Sequence, residues 1–177
     1  MRKLALSELN RLSVDDFKGA SKFPYCLILD DIRSLNNVGS VFRTADAFRA
    51  EKLYLCGITG TPPHRDITKT ALGATESVTW EHVVDVVALA KQLQAEGWLI
   101  AAVEQAEGST LLSSFQPEST ERYAFVLGNE VWGVRDEIVQ LADLVLEIPQ
   151  FGTKHSLNIA VTTGIVCWDY IQKITKT

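Results

Sequence analysis

Apolar residues along this 177-residue chain fall into short continuous runs separated by amphipathic stretches. Tyr25-Cys26-Leu27-Ile28-Leu29 is wholly apolar and stops at Asp30-Asp31, the pattern of a strand buried on both faces. Residues 38 to 49 then carry Val38, Val41, Phe42, Ala45 and Phe48 at helical spacing. Leu53 to Cys56 reads as a second strand, closed by Gly57 and the Gly60-Thr61-Pro62-Pro63 turn. Residues 65 to 72 predict a short helix that stops at Gly73, and Ser77 to Trp80 a short strand. Residues 83 to 95 place Val83, Val86, Val87, Ala90 and Leu93 on one helical stripe, ended by Gly97. Trp98–Val103, Tyr123–Leu127 and Leu144–Ile148 are further strands, with Ile138 to Leu141 in a helix between the last two. A final helix spans about 157 to 171. Residues 1–22 form a polar, partly helical lead-in, and 23–177 a single domain.

Strands alternating with helices at this spacing predict an α/β fold: a mainly parallel sheet covered by helices on both faces. Ligands in such sheets bind beyond the carboxyl ends of the strands, so the residues after each strand are the ones to inspect.

Composition changes this picture little. Apolar residues make up 46% of the chain, enough for a full core without disulfides or a structural metal. Cys26, Cys56 and Cys167 lie far apart in apolar runs and read as buried reduced thiols. His64, His82 and His155 lack metal-ligand spacing, so no metal is expected. No run approaches the roughly 20 apolar residues of a membrane span. The start lacks a signal-peptide core, and the reading is a cytoplasmic protein. The net charge of −5 counts against a large phosphate-binding face. Basic residues can still cluster on one side.

Three strand ends carry chemistry-bearing residues. After the first strand, Asn36, Asn37 and Gly39 open a helix and Arg43 follows. The plain structural reading makes Asn37 a helix cap and Arg43 a surface ion-pair partner. After the strand at 123–127 comes Gly128-Asn129-Glu130-Val131-Trp132-Gly133. A phosphate loop would need lysine and a hydroxyl after Gly133, where Val134 and Arg135 stand, and no G-x-G-x-x-G occurs in the chain. After the strand at 144–148, Pro149 and Gly152 shape a loop, Ser156 is placed as an N-cap, and Asn158 falls in the first helical turn.

Together these loops resemble the SpoU (TrmH-type) family of RNA ribose methyltransferases within the SPOUT superfamily. Asn37, Gly39 and Arg43 match its first motif. Leu127, Gly128, Asn129, Glu130 and Gly133 match the second, and Ile148, Pro149, Ser156, Leu157 and Asn158 the third. The resemblance covers most of the chain, from about Leu27 onward. It implies a C-terminal deep trefoil knot, a feature nearly absent from other folds. It also implies S-adenosylmethionine as methyl donor, with Val103, Glu104, Leu127, Gly128, Asn129, Glu130, Ile148, Pro149, Ser156 and Leu157 around it. The implied activity is methyl transfer to a ribose 2′-hydroxyl of transfer or ribosomal RNA. A homodimer is implied, with Arg43 entering the active site from the partner subunit.

By the same resemblance the catalytic set is Arg43, Asn37, Glu130, Ser156 and Asn158. Arginine is a reluctant base, since its pKa exceeds ~12. Its expected role is to bind a substrate phosphate and stabilise charge on the attacking oxygen. Asn37 and Asn158 are expected to orient Arg43 or the ribose, and Ser156 to support the third loop. Glu130 is expected to order a loop or balance the sulfonium charge. Arg33, Arg43, Arg49, Arg65, Lys69 and Lys154 are candidates for an RNA-facing rim. Trp132 is assigned to core or interface packing ahead of stacking on a base. Many relatives carry an added RNA-binding domain or basic extensions, and neither is visible here. Two rival readings are a non-enzymatic RNA-binding or ribosome-assembly module on the same scaffold, and a flavodoxin-like enzyme acting on small molecules.

Overall fold

The computed structural model describes residues 1–175 of the chain; Lys176 and Thr177, the end of the expected domain, lie outside the described residues. The strands are β1 (Phe23–Asp30), β2 (Ala50–Cys56), β3 (Trp80–Val83), β4 (Trp98–Val103), β5 (Thr110–Leu111), β6 (Arg122–Leu127) and β7 (Leu144–Glu147). Among the described residues they form one seven-stranded sheet in the order β3-β2-β1-β6-β4-β7-β5. Every pairing is parallel.

The alternation of side chains along β1 explains both covered faces. Tyr25, Leu27 and Leu29 point to one core, and Cys26 and Ile28 to the other. The first core receives Phe17 of α1 (Val14–Gly19), Val38, Val41, Phe42 and Ala45 of α2 (Leu35–Ala47), and Ile67 and Ala71 of α3 (Arg65–Ala71). It also receives Ala74 of α4 (Ala74–Ser77) and Val166, Cys167 and Tyr170 of α7 (Ile159–Thr175). The second core is closed by Val86, Leu89, Ala90 and Leu93 of α5 (Val86–Ala95) and Ile138 of α6 (Asp136–Leu141). The fold class is therefore the one the periodicity predicts. The lead-in is part of the packing, because Phe17 is buried.

Three boundaries differ from the sequence reading. Ser77–Trp80 is not a strand. Gly73, at φ +90°, starts a single helical turn over Ala74–Ser77, and the Ser77 hydroxyl bonds the Asp46 carboxylate. The strand begins at Trp80, opposite Leu53, so Val83 pairs with Cys56 in the sheet instead of opening a helix. α5 starts at Val86 because Asp85 caps it, accepting from the Val87 and Ala88 amides at 2.9 and 3.0 Å. α7 starts at Ile159, and its cap is Asn158, whose Oδ1 accepts from the Ala160 and Val161 amides at 2.9 and 3.4 Å. Ser156 is thus not the cap. The two-residue β5 is exposed and leaves no apolar signature in sequence.

The strand order creates the site. From β1 the chain moves outward through β2 and β3, then crosses to β4 on the other side. β6 later fills the gap between β1 and β4, and β7 lies beyond β4. The carboxyl ends of β1, β6, β4 and β7 are consecutive there, at a change of winding direction where a crevice opens.

All three cysteines are buried and free. Burial raises the Cys26 thiol far above its ordinary range and pushes Cys56 and Cys167 up to about 12. Native protein is expected to resist alkylation by iodoacetamide at neutral pH, and denatured protein to take up three labels, read by intact mass.

Candidate active site

A hollow of about 690 Å³ opens beyond these strand ends. Its walls are Val103–Ala106 at the end of β4, Leu127–Val134 at the end of β6, Leu146 in β7 with Ile148 and Gln150 after it, and His155–Ile159 before and into α7. Val103, Glu104, Leu127, Gly128, Asn129, Glu130, Ile148, Ser156 and Leu157 all line it, as does Asn158. Pro149 does not, although its two neighbours do. The volume suits a small organic ligand. Leu127, Leu146 and Ile148 supply apolar wall, and the glycine-rich turn after β6 closes one side.

The turn after β6 is built by close backbone approach. Asn129 and Gly133 exchange two main-chain hydrogen bonds of 2.9 Å. A Cβ on Gly128 would stand 2.1 Å from the Gly133 carbonyl, so only glycine fits. Asn129 Oδ1 accepts from the Val131 and Trp132 amides at 2.9 and 3.2 Å, and its Nδ2 donates to the Asp31 carbonyl at 2.6 Å. Glu104 lines the hollow, but its oxygens accept from the main-chain amides of Gln105 and Val134, each at 2.8 Å. Gln105 in turn donates to the His155 carbonyl at 2.8 Å, tying the loop after β4 to the loop before α7.

Glu130 joins this turn to α2. Its carboxylate accepts from the Arg33 and Ser34 amides, both at 3.0 Å, and from Asn37 Nδ2 at 3.1 Å. The two amides belong to the cap residue Ser34 and the residue before it, at the positive end of the helix. Partial burial pushes the Glu130 pKa up, but the amide donors outweigh it and hold the carboxyl below its ordinary range. Asn37 Oδ1 accepts from Asn158 Nδ2 at 3.1 Å. Glu130, Asn37 and Asn158 therefore form one hydrogen-bonded chain linking all three motif loops. Ser34, not Asn37, is the N-cap of α2. With both oxygens occupied, Glu130 is a brace for the loops.

Sequence reasoning missed a second clamp. Arg135 grips Asp30 through two hydrogen bonds of 2.7 Å and reaches Asp31 at 2.9 Å. Asp30 is buried, and desolvation raises its carboxyl while the guanidinium opposes that rise; Arg135 is held more firmly charged by the carboxylates. The Asp30-Asp31 pair after a strand was the visible signal. Nothing in sequence pointed to a partner at position 135.

The remaining expected residues scatter. Arg43 is exposed and lies outside the hollow. It lines a separate groove of about 490 Å³ with Ser40, Thr44, Ala47, Phe48, Lys69, Thr70 and Leu72. Arg49 sits over the Phe23 ring at 4.9 Å, at the amino end of β1 and away from the crevice. Arg33, Arg65 and Lys154 are exposed. Trp132 lines the hollow yet is 85% exposed, so it is not a core residue. Among the described residues, no three His, Cys, Asp or Glu side chains stand together as a metal site would need, and no helix is long and apolar enough to cross a membrane.

A neutral Glu130→Gln keeps the shape but loses the charge at the α2 N-terminus. The expected cost at neutral pH is roughly 0.5–1 kcal/mol, the solvent-screened value for such a carboxylate. The Glu130 pKa is depressed in the folded chain. Its stabilisation is therefore present above the ordinary carboxylate range and lost as pH falls through the lower folded value. Urea melts of the two proteins should differ at pH 7 and converge in acid.

The sequence profile of the SpoU rRNA Methylase family matches residues 24–168. A 23S rRNA (guanosine-2'-O-)-methyltransferase RlmB from Neisseria meningitidis is 30% identical over 158 residues, 89% of this chain and 62% of the relative. The RlmB of Escherichia coli K12 is 29% identical over 151 residues, 85% of this chain and 60% of the relative. The chain thus spans about three-fifths of the length of these curated relatives. An AdoMet-bound rRNA methyltransferase from Sinorhizobium meliloti superposes with a TM-score of 0.79 at 25% identity, covering 88% of this chain and 59% of that one. An A. aeolicus TrmH/SpoU tRNA modifying enzyme shares the fold, with a TM-score of 0.81 at 24% identity over 92% of this chain and 83% of its own. The profile match takes in the sheet from β1 onward and every loop of the hollow, and the chain belongs to the SpoU rRNA Methylase family.

Proposed function

We propose that the protein is an S-adenosylmethionine-dependent RNA methyltransferase acting on a ribose 2′-hydroxyl of ribosomal or transfer RNA in the cytoplasm. One observation carries this reading: the turns at 128–134, 148–150 and 155–158 converge on a single hollow of about 690 Å³. The names of the relatives support the reaction, and the AdoMet-bound S. meliloti structure supports the donor. The volume of the hollow suits that donor, with Leu127, Leu146 and Ile148 as apolar wall for a ring. The trefoil knot implied by the family belongs to the same reading.

The donor brings a methyl group already activated by a sulfonium charge. In the transfer the ribose oxygen would form the new C–O bond as the C–S bond breaks, the donor leaving as a neutral thioether and the hydroxyl proton passing to solvent. The chain's task is to place the oxygen in line and offset its developing negative charge. Arg43, permanently cationic, suits phosphate binding and charge stabilisation better than proton removal. Asn37, Glu130 and Asn158 hold the donor turn and α2, the helix that carries Arg43, in fixed relation. Ser156 stands in the hollow's wall beside them.

The separation of Arg43 from the hollow of its own subunit supports a homodimer with a shared site. α7 begins in the hollow's wall, where Ile159 and Thr162 stand. It carries an exposed apolar stripe of Val161, Ile165 and Trp168. Trp168 edges onto Phe48, which lines the Arg43 groove, with ring centroids 6.2 Å apart. A two-fold contact across this face carries each copy's groove toward the other copy's hollow.

Arg43→Ala is expected to abolish tritiated methyl transfer to RNA while leaving donor binding by calorimetry unchanged. Gly128→Ala is expected to lose donor binding. Co-expression of the two variants should restore transfer, since a mixed dimer regains one complete site. An active Arg43→Ala protein refutes the catalytic assignment, and failure of the mixture to recover refutes the shared site.

A further inference from the structure

Trp132 is the part of the site that donor binding and methyl transfer leave without a role. Its indole is 85% exposed although it belongs to the hollow's wall. Its backbone is firmly held. The Trp132 amide donates to Asn129 Oδ1 at 3.2 Å, and the Asn129–Gly133 bonds close the turn at 2.9 Å. Asn129 Nδ2 anchors that turn on the Asp31 carbonyl at 2.6 Å. A turn pinned on both sides therefore presents a large flat ring at the edge of the hollow.

The chain's charge narrows what that ring meets. At a net −5, long-range attraction for a polyanion is weak, and within one subunit the cationic groove of Arg43 and Lys69 lies apart from the hollow. RNA affinity must then draw on contacts beyond the phosphate contact proposed for Arg43. Single-stranded RNA offers unstacked bases, which aromatic side chains bind face to face. A ribose that enters the hollow brings its own base, or that of its immediate neighbour, to the edge where Trp132 stands.

Resting on the function proposed above, we infer that Trp132 is the stacking platform for an unpaired nucleobase beside the reacting ribose. Stacking uses the π-face that every base has, so the platform selects an unpaired nucleotide over a duplex one without reading base identity.

The test uses the full chain and RNA from cells lacking the gene, with tritiated S-adenosylmethionine as donor. Trp132→Ala is expected to raise the KM for RNA about tenfold, the typical loss of one stacked base. The salt dependence of RNA binding should not change, since no ionic contact is removed. Trp132→Phe should recover most of the loss. Phe151, 96% exposed but outside the hollow's wall, serves as the control, and Phe151→Ala should leave the KM unaltered. An unchanged KM in Trp132→Ala overturns the inference, as does an equal loss in Phe151→Ala. A Trp132→Ala protein that sediments as a smaller species than wild type also overturns it, assigning the ring to a contact between copies. Wild type that methylates this RNA, with Trp132→Ala unimpaired, defeats the stacking role alone. Wild type that transfers no methyl group defeats both readings.

Discussion

The carboxylate of Glu130 at the amino end of α2 is the contact on which the site's architecture depends. Two main-chain amides and Asn37 converge on it. It spans the end of β6 and the helix after β1, whose strands are sheet neighbours but lie almost a hundred residues apart in the chain. A charge-assisted bond to helix-terminal amides is among the stronger polar contacts a partly exposed loop can make. Asn158 extends it to α7 through Asn37. Arg135, gripping Asp30 and Asp31, repeats the connection from the far side of the same turn.

This bracing explains why the site can be built from loops. Loops are ordinarily the mobile parts of a domain. Here Gly128 permits two backbone segments to touch, Glu104 satisfies the Val134 amide behind them, and Gln105 reaches the His155 carbonyl. The residues proposed to meet the substrate sit outside this brace. Trp132 projects from it, and Arg43 lies one groove away on α2. On the proposed reading, the scaffold fixes the donor side and leaves the acceptor side to groups reaching in from the rim.

Much of this was legible in sequence, for physical reasons. The apolar runs of β1, β4 and β6 are buried on both faces, so they stand out without alternation. The loops that border the hollow were legible because residues just after parallel strands border the crevice; the individual wall residues came from the family resemblance, and of those Pro149 does not line it. Ser77–Trp80 was misread because a positive-φ glycine starts a helical turn that apolar pattern does not reveal. Ser156 was taken as the cap because serine is a good one, whereas Asn158 caps α7 and bonds Asn37 at once. Arg49 resembles any rim cation in sequence, and only the chain path shows it at the wrong end of the sheet. Long-range partners such as Arg135 and Asp30 leave no local signature at all.

Hydrogen–deuterium exchange of the full chain, with and without S-adenosylmethionine, tests the central claim most directly. The account predicts that the donor slows exchange at the turns 128–134, 148–150 and 155–158 together. Protection elsewhere on the sheet, or at only one of those turns, contradicts a single donor-binding hollow.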